Sequence, residues 1–573
     1  MSDLTLRERI RNAALSVEGS KGSAVVGMLA SRLLGWSVAP PPADQILIVP
    51  QDLRTSDPSF WREIEQGQFG LAGSIAFLRG RSPFEIEPPN EAWSRALHGF
   101  GWLRNLAAAA AADEEARHTA RRLAAEWAVR YGTGKGVAAQ PTVAARRMIA
   151  WLSHAALLLD GADATSYETI TDSLGRQLAA LGSSWREAPD GYPRLIALVA
   201  LTFAGLSIAG HDRQLREWEA TLAAELSRQI LTDGGHISRN PSILVDLMLD
   251  LLPLSQCFVA RSRKHPAPLL DAMAAIMPML RFMRLGDGLL ARFNGVGVPS
   301  AAALGTVIGY DDCLSPPLSE ARASGYARLE CGDAIALVDV GTPPPLVAAG
   351  QAQAGCLSFE MSSGTQLVFV NGGMPGPAGA DRIGAARATA SHNTLCLGEK
   401  SSSKLVVHRR LEALIGAKPI RHPDEVAWHR EDAGDGAVLE ASHDGYHKRF
   451  GLIHSRRLFL AADGCRLVGR DRLDGLRQKV RLREDLPFSI HFHLHPDASC
   501  EAGRAPNSAE IVLADGECWY FEATGAELSI EESTFFAGST GPRGALQIVL
   551  RGATFGESEV NWSVARGNEE DEA

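Results

Sequence analysis

The chain has 573 residues, 45% of them apolar and 22% charged, with a formal net charge of -10 and a pI near 5.9. That length predicts two or three domains, the composition excludes a disordered or fibrous chain, and the acidic balance excludes a generic nucleic-acid binder. A cleft can still be locally basic on an acidic protein, so an anionic sugar polymer stays open as a partner.

The opening stretch MSDLTLRERIRNAALSVEGSKGSAVV has no uninterrupted apolar core and no small-residue cleavage site. It is not read as a signal peptide, and the expected location is cytoplasmic, or periplasmic if the start is misassigned. Residues 1–90 form an N-terminal extension of mixed pattern, with proline-rich APPPADQ (39–45) and RSPFEIEPPN (81–90). From 91 to 286 apolar residues recur at three and four, as in Trp102, Leu103 and Leu106. Helices are predicted near 92–112, 114–131, 142–160, 165–182, 193–209, 212–231, 241–259 and 266–284. YGTGKG, EAPDGYP and DGGH supply turns between them. Short turns between helices predict antiparallel hairpins stacked side by side. The longest apolar run, LIALVALTFAGLSIAG (195–210), is short for a bilayer span and suits a buried helix, so no membrane span is expected.

After residue 286 the period changes to two. LLARFNG, YARLE, AIALVDV, CLSFEMS, TQLVFVN, RRLFLA, SIHFHLHP, AEIVLA and ALQIVL are short and alternating or β-branched, separated by Gly, Asp and Pro. Strand following strand predicts an antiparallel sandwich over 287–566; residues 567–573 form an acidic tail. Eight cysteines at wide spacings, with no CxxC, read as free thiols.

Several strings, in their order and separation, resemble the heparinase II/III family of polysaccharide lyases, and most closely its alphaproteobacterial members. They are HGFGWLRNL (98–106), ALTFAGLSI (200–208), QILTDGGHISRNP (229–241), LSFEMSSGTQLVFVNGG (357–373), ARATASHNTLCLG (386–398) and FHLHP (492–496). The resemblance implies an α/α toroid followed by an antiparallel β-sandwich, with a polysaccharide in the cleft between them. It also implies β-elimination on a uronic-acid glycan: a toroid Asn or His neutralises the carboxylate, a Tyr and a sandwich His move protons, and a zinc site braces the cleft.

The family positions carry other residues here. The neutralising pair falls on Tyr192-Pro193, the Tyr on Ile243, the strand His on Gln353, and metal positions on Gly355 and Asn371. His392 alone remains of the ligands, and one ligand cannot hold zinc, so no metal or other cofactor is expected. The remaining candidates are His236 as base, Arg239 as a bidentate fork for a carboxylate, and Asn240 as a donor beside it or as a helix cap. His392 could act in the cleft, Asn393 could meet sugar hydroxyls, and Gln353 and Tyr192 could contact substrate. Arg382 and Arg387 could add positive potential. Tyr310-Asp311-Asp312 could line the cleft, though a turn is the plainer reading. Trp102 and Trp151 could stack on sugars or pack in the helix core. His491, His493 and His495 share a strand face, but neighbours about 6.8 Å apart do not converge on one ion. Two readings follow: a lyase on an acidic oligosaccharide or polysaccharide, or a carbohydrate-binding or scaffold protein that keeps the frame without the reaction.

Overall fold

The structure is a computed structural model that describes residues 42–298, 300–311, 318–406, 419–475, 485–554 and 556–567. The tail beyond Gly567 and the first 41 residues of the N-terminal extension, with Asp312 and Cys313, lie outside the described residues. The chain forms a helical α/α toroid followed by antiparallel sheets.

The predicted helices occur, with two of them divided. The segment near 92–112 splits into Glu91–Gly99 and Leu103–Ala109, because Phe100 takes a left-handed φ of 57° and ends the first helix. The segment near 142–160 splits at His154 into Pro141–Ser153 and Ala155–Leu159. The others run Glu114–Tyr131, Ala164–Ser184, Tyr192–Ser207, Asp212–Gln229, Pro241–Ala260 and Ala267–Phe282. The apolar run forms Tyr192–Ser207, buried from Leu195 onward and packed against Pro141–Ser153, Asp212–Gln229 and Pro241–Ala260. Pro241–Ala260 is long and apolar enough to cross a membrane, and most of it is buried within the toroid, as an inner helix of a two-layered ring requires. The N-terminal extension adds a helix, Phe60–Glu65, and a hairpin, Gln68–Leu71 with Ser74–Phe77, which its weak periodicity did not predict.

The strand half contains an eight-stranded sheet running from Val426–Ala433 to Ser499–Ala502, a five-stranded sheet over residues 320–369, and a four-stranded sheet that includes Leu486–His493. All three are antiparallel. Phe359, Phe369, Phe492, Phe521 and Trp562 form one aromatic core between sheets. LLARFNG forms no strand. It crosses from the toroid to the sheets as a buried loop, tied by Arg292, whose backbone N–H donates to Glu360 at 3.0 Å. The seven described cysteines are free thiols.

Candidate functional site in the inter-domain cleft

A cavity of about 1080 Å³ lies between toroid and sandwich. Its walls come from the start of helix Tyr192–Ser207, the loop after Gln229, the first turns of helix Pro241–Ala260, and loops around Gly295 and Gln351. The DGGHISRN loop meets this cavity, and its polar residues are already engaged within the protein.

Arg239 is 7% exposed and sits at a left-handed φ of 59°. Its guanidinium donates to the carbonyls of Ser324 (2.6 Å), Gly325 (2.8 Å), Gly341 (3.2 Å) and Thr342 (3.0 Å), and pairs with Asp339 at 2.5 Å. Every donor-bearing nitrogen has a partner across the domain boundary, and the Tyr326 hydroxyl donates to the Arg239 carbonyl. A Cβ at position 341 would lie 2.6 Å from Nη2, so glycine there admits the guanidinium. Arg239 is therefore a domain clamp and is not placed to neutralise a substrate carboxylate. Breaking such a buried pair leaves an uncompensated charge.

His236 is 1% exposed, with Nε2 bonded to Gln229 Oε1 at 3.0 Å and Nδ1 to Ser238 Oγ at 2.7 Å. Gln229 Nε2 donates to Glu225, which turns its oxygen toward His236 and puts the imidazole proton on Nε2. Burial, helped by the charge of Arg228, pulls His236 down to about 4. A neutral ring with both nitrogens occupied is not free to act as the base. Asn240 is the cap: its Oδ1 accepts from the Ser242 N–H at 2.9 Å, Pro241 follows at the first turn, and Nδ2 donates to Gln351 at 2.7 Å.

On the sandwich side His392 is 1% exposed, donates through Nδ1 to Ala388 O at 2.7 Å, and has no partner at Nε2. Burial lowers it to about 4. Asn393 is fully buried, donating to Phe359 O and accepting from the His493 N–H, which knits two sheets together. Gln353 is buried in the loop before strand Phe359–Ser363, its Oε1 unpaired. Arg387 is buried and ties down Ala352 O, while Arg382 is exposed. Asp311 pairs with Arg281, and Trp151 lies in the helical aromatic core. The ring nitrogens of His493 bond Ser533 and Ala390, and those of His491 bond Ser489 and Gln547.

Of the seven candidates Tyr192, His236 and Asn240 line the cleft, and the polar atoms of His236 and Asn240 are already bonded within the protein. The Tyr192 hydroxyl meets Arg146, and burial raises the phenol. The sequence reading missed Asp246, which reaches solvent from the cleft floor. The surrounding wall raises its carboxyl against the pull of Arg146 and Arg54. One turn on, Asp250 is buried. Burial opposes its ionisation, but Arg146 (2.6 Å) and Arg54 (2.8 Å) outweigh that and hold it low. Two aspartates four apart in the apolar run PSILVDLMLDLL were the available signal.

A family model described as Heparinase II/III-like, C-terminal, matches residues 314–563. FtsZ-localized protein C of Caulobacter vibrioides is 30% identical over 545 residues, covering 92% of each chain. The chain belongs to the heparinase II/III-like family. Among solved structures, heparinase III superposes with a TM-score of 0.70 at 13% identity, over 99% of this chain and 93% of that one. Heparan sulfate lyase HepC from Pedobacter heparinus gives 0.59 at 15%, over 99% and 92%. Both likenesses concern the fold.

The family's metal does not fit this heparinase II/III-like chain. Gly355 has no ligand atom, and a Cβ there would lie 2.7 Å from the His392 ring. Asn371 Oδ1 already accepts from the Asn393 N–H. Among the described residues no three His, Cys, Asp or Glu side chains cluster as ligands.

Proposed function

We propose that this protein is a non-catalytic heparinase II/III-like protein that binds glycan and serves as a scaffold, localised with FtsZ as its Caulobacter relative is named. One observation carries the reading: at the positions where the family moves protons, this chain has Gln353 and Ile243, and the nearby histidines 236 and 392 are buried and neutral. β-Elimination needs a base within reach of the C5 proton. A fluorescent fusion is expected to co-localise with FtsZ, and fractionation to recover the chain with the cytoplasm. Incubation with alginate, heparan sulfate or hyaluronan is expected to yield no ultraviolet absorbance from unsaturated product; sustained turnover would overturn the reading.

The lyase reading, β-elimination on a uronic-acid glycan, is favoured by the open cleft and the raised carboxyl of Asp246. It would have to run through Asp246, since the Tyr192 phenol is pushed further from ionisation. Turnover abolished in Asp246→Asn would support it.

A further inference from the structure

A second cavity, of about 860 Å³, opens in the toroid and meets the inter-domain cleft at Pro189, which lines both. The two differ in sign. Among the described residues the cleft lining has Asp190 and Asp246 and no lysine or arginine. The toroid cavity is lined by Arg54, Arg95, Arg104 and Arg146 with a single acid, Asp52. Asp52 is bonded by Arg104 at 2.9 Å, Asp250 is shared by Arg54 and Arg146, and exposed Glu91 takes Arg95 at 2.6 Å. Asp246, on the cleft side, also faces Arg54 and Arg146, so four carboxylates answer the four guanidiniums.

The pocket's asymmetry lies in its hydrogen-bonding capacity. The Asp52 carboxylate already accepts from the Arg54 N–H, from Arg104 Nε and from His154 Nε2. Arg104 uses only Nε among the described residues, leaving both terminal nitrogens open to the cavity. Gln140 turns its oxygen to Arg95 and Asn105 turns its oxygen to the Asp57 N–H, so both amide nitrogens are spare donors. The remaining wall is apolar, from Leu71, Val143 and Ile149. Spare donors with no spare charged acceptor, beside an apolar wall, match an acceptor-rich anionic group on a body with an apolar face.

Resting on the glycan-binding part of the function proposed above, we infer that the toroid pocket, and not the inter-domain cleft, takes the glycan, by the carboxylate of a short acidic saccharide held on Arg104, Gln140 and Asn105. The cleft, lined by Asp190 and Asp246 with no lysine or arginine among its described residues, offers that group no cationic partner, which separates binding from the place where the fold family does chemistry.

The test is titration calorimetry of the full chain with a hyaluronan tetrasaccharide, its carboxyl methyl ester, and a sulfated disaccharide lacking carboxylate. The free acid is expected to bind, and the ester about tenfold more weakly, as loss of a charge-assisted contact requires. Arg104→Met is expected to weaken binding by about tenfold or more. Because Asp52 also relies on Arg104, Ala96→Phe provides a second variant: Ala96 lines the pocket and belongs to none of its ion pairs, and the added bulk is expected to abolish binding with an unchanged melting temperature. Asp246→Asn is expected to bind at least as tightly as wild type. Equal affinity for acid and ester, wild-type affinity in Ala96→Phe, binding of the sulfated probe alone, or no binding of any probe would each overturn the assignment. Polymer turnover would sink the non-catalytic reading and leave this site standing, whereas loss of the site would leave the absence of turnover untouched.

Discussion

Two arginine centres, one at the domain joint and one in the toroid pocket, behave oppositely. At the domain joint, Arg239 serves four carbonyls and Asp339, and no nitrogen is open to a ligand. In the toroid pocket, Arg104 holds Asp52 through one nitrogen and keeps two for whatever enters. Both are arginines near aspartates in polar loops or short helices. The contrast shows that a guanidinium becomes a clamp where carbonyls crowd around it, and a receptor where the wall facing it is apolar and empty.

Substitution at the joint sharpens the contrast most. Arg239→Ala leaves the Asp339 carboxylate and a set of carbonyls buried without their partner. It is expected to cost about 3–5 kcal/mol, read as a lower denaturation midpoint in urea. Lysine is not expected to restore it, since one ammonium cannot serve five acceptors spread across a plane.

Acid titration comes next. His236 and His392 are each lowered by burial from the ordinary value of 6.5 to about 4. The unfolded chain takes up these protons first, so the stability they contribute is full above about pH 6.5 and is lost as pH falls toward about 4. The loss is expected to reach roughly 3 kcal/mol for each ring at the low end. Denaturant titrations across that window should flatten in His236→Gln by that residue's share; an unchanged slope would remove His236 from the account.

Smaller effects separate cap from cleft. Asn240→Ala removes the acceptor for the Ser242 N–H and is expected to cost about 1 kcal/mol. Asp246→Asn removes a carboxyl that its surroundings hold against ionisation, and is expected to change stability by less than about 0.5 kcal/mol at neutral pH, toward stabilisation. A marked loss there would mean that Asp246 belongs with the clamp and not with the open groove.

The strings that carry the family resemblance were legible, yet most of their polar residues turn out to do structural work. In DGGHISRNP, Gly235 is glycine because a Cβ would sit 1.8 Å from Ser324 Oγ, and the Asp233 carboxylate accepts from the Ser324 N–H and hydroxyl. The loop is a polar seam against residues ninety positions away. A motif read along the chain shows side-chain types but not which partners reach them first. Asp246 went unnoticed for the converse reason: within an apolar helix it reads as an interruption, and only the curvature of the ring turns it toward the cleft. Arg54, Arg104 and Arg146 come from three separate segments, and nothing local links them.

The succession of a helical half and a strand half was determined by the sequence alone, because a period of three to four or of two decides which face each segment must bury, and that face is a property of neighbouring residues. That positions 353 and 243 carry Gln and Ile was equally readable, since residue identity needs no geometry. Tertiary structure decided which charges are free. Whether an arginine clamps, pairs or waits depends on carbonyls and carboxylates brought within about 3 Å of it by folding, and contacts over that distance are set by packing between distant segments.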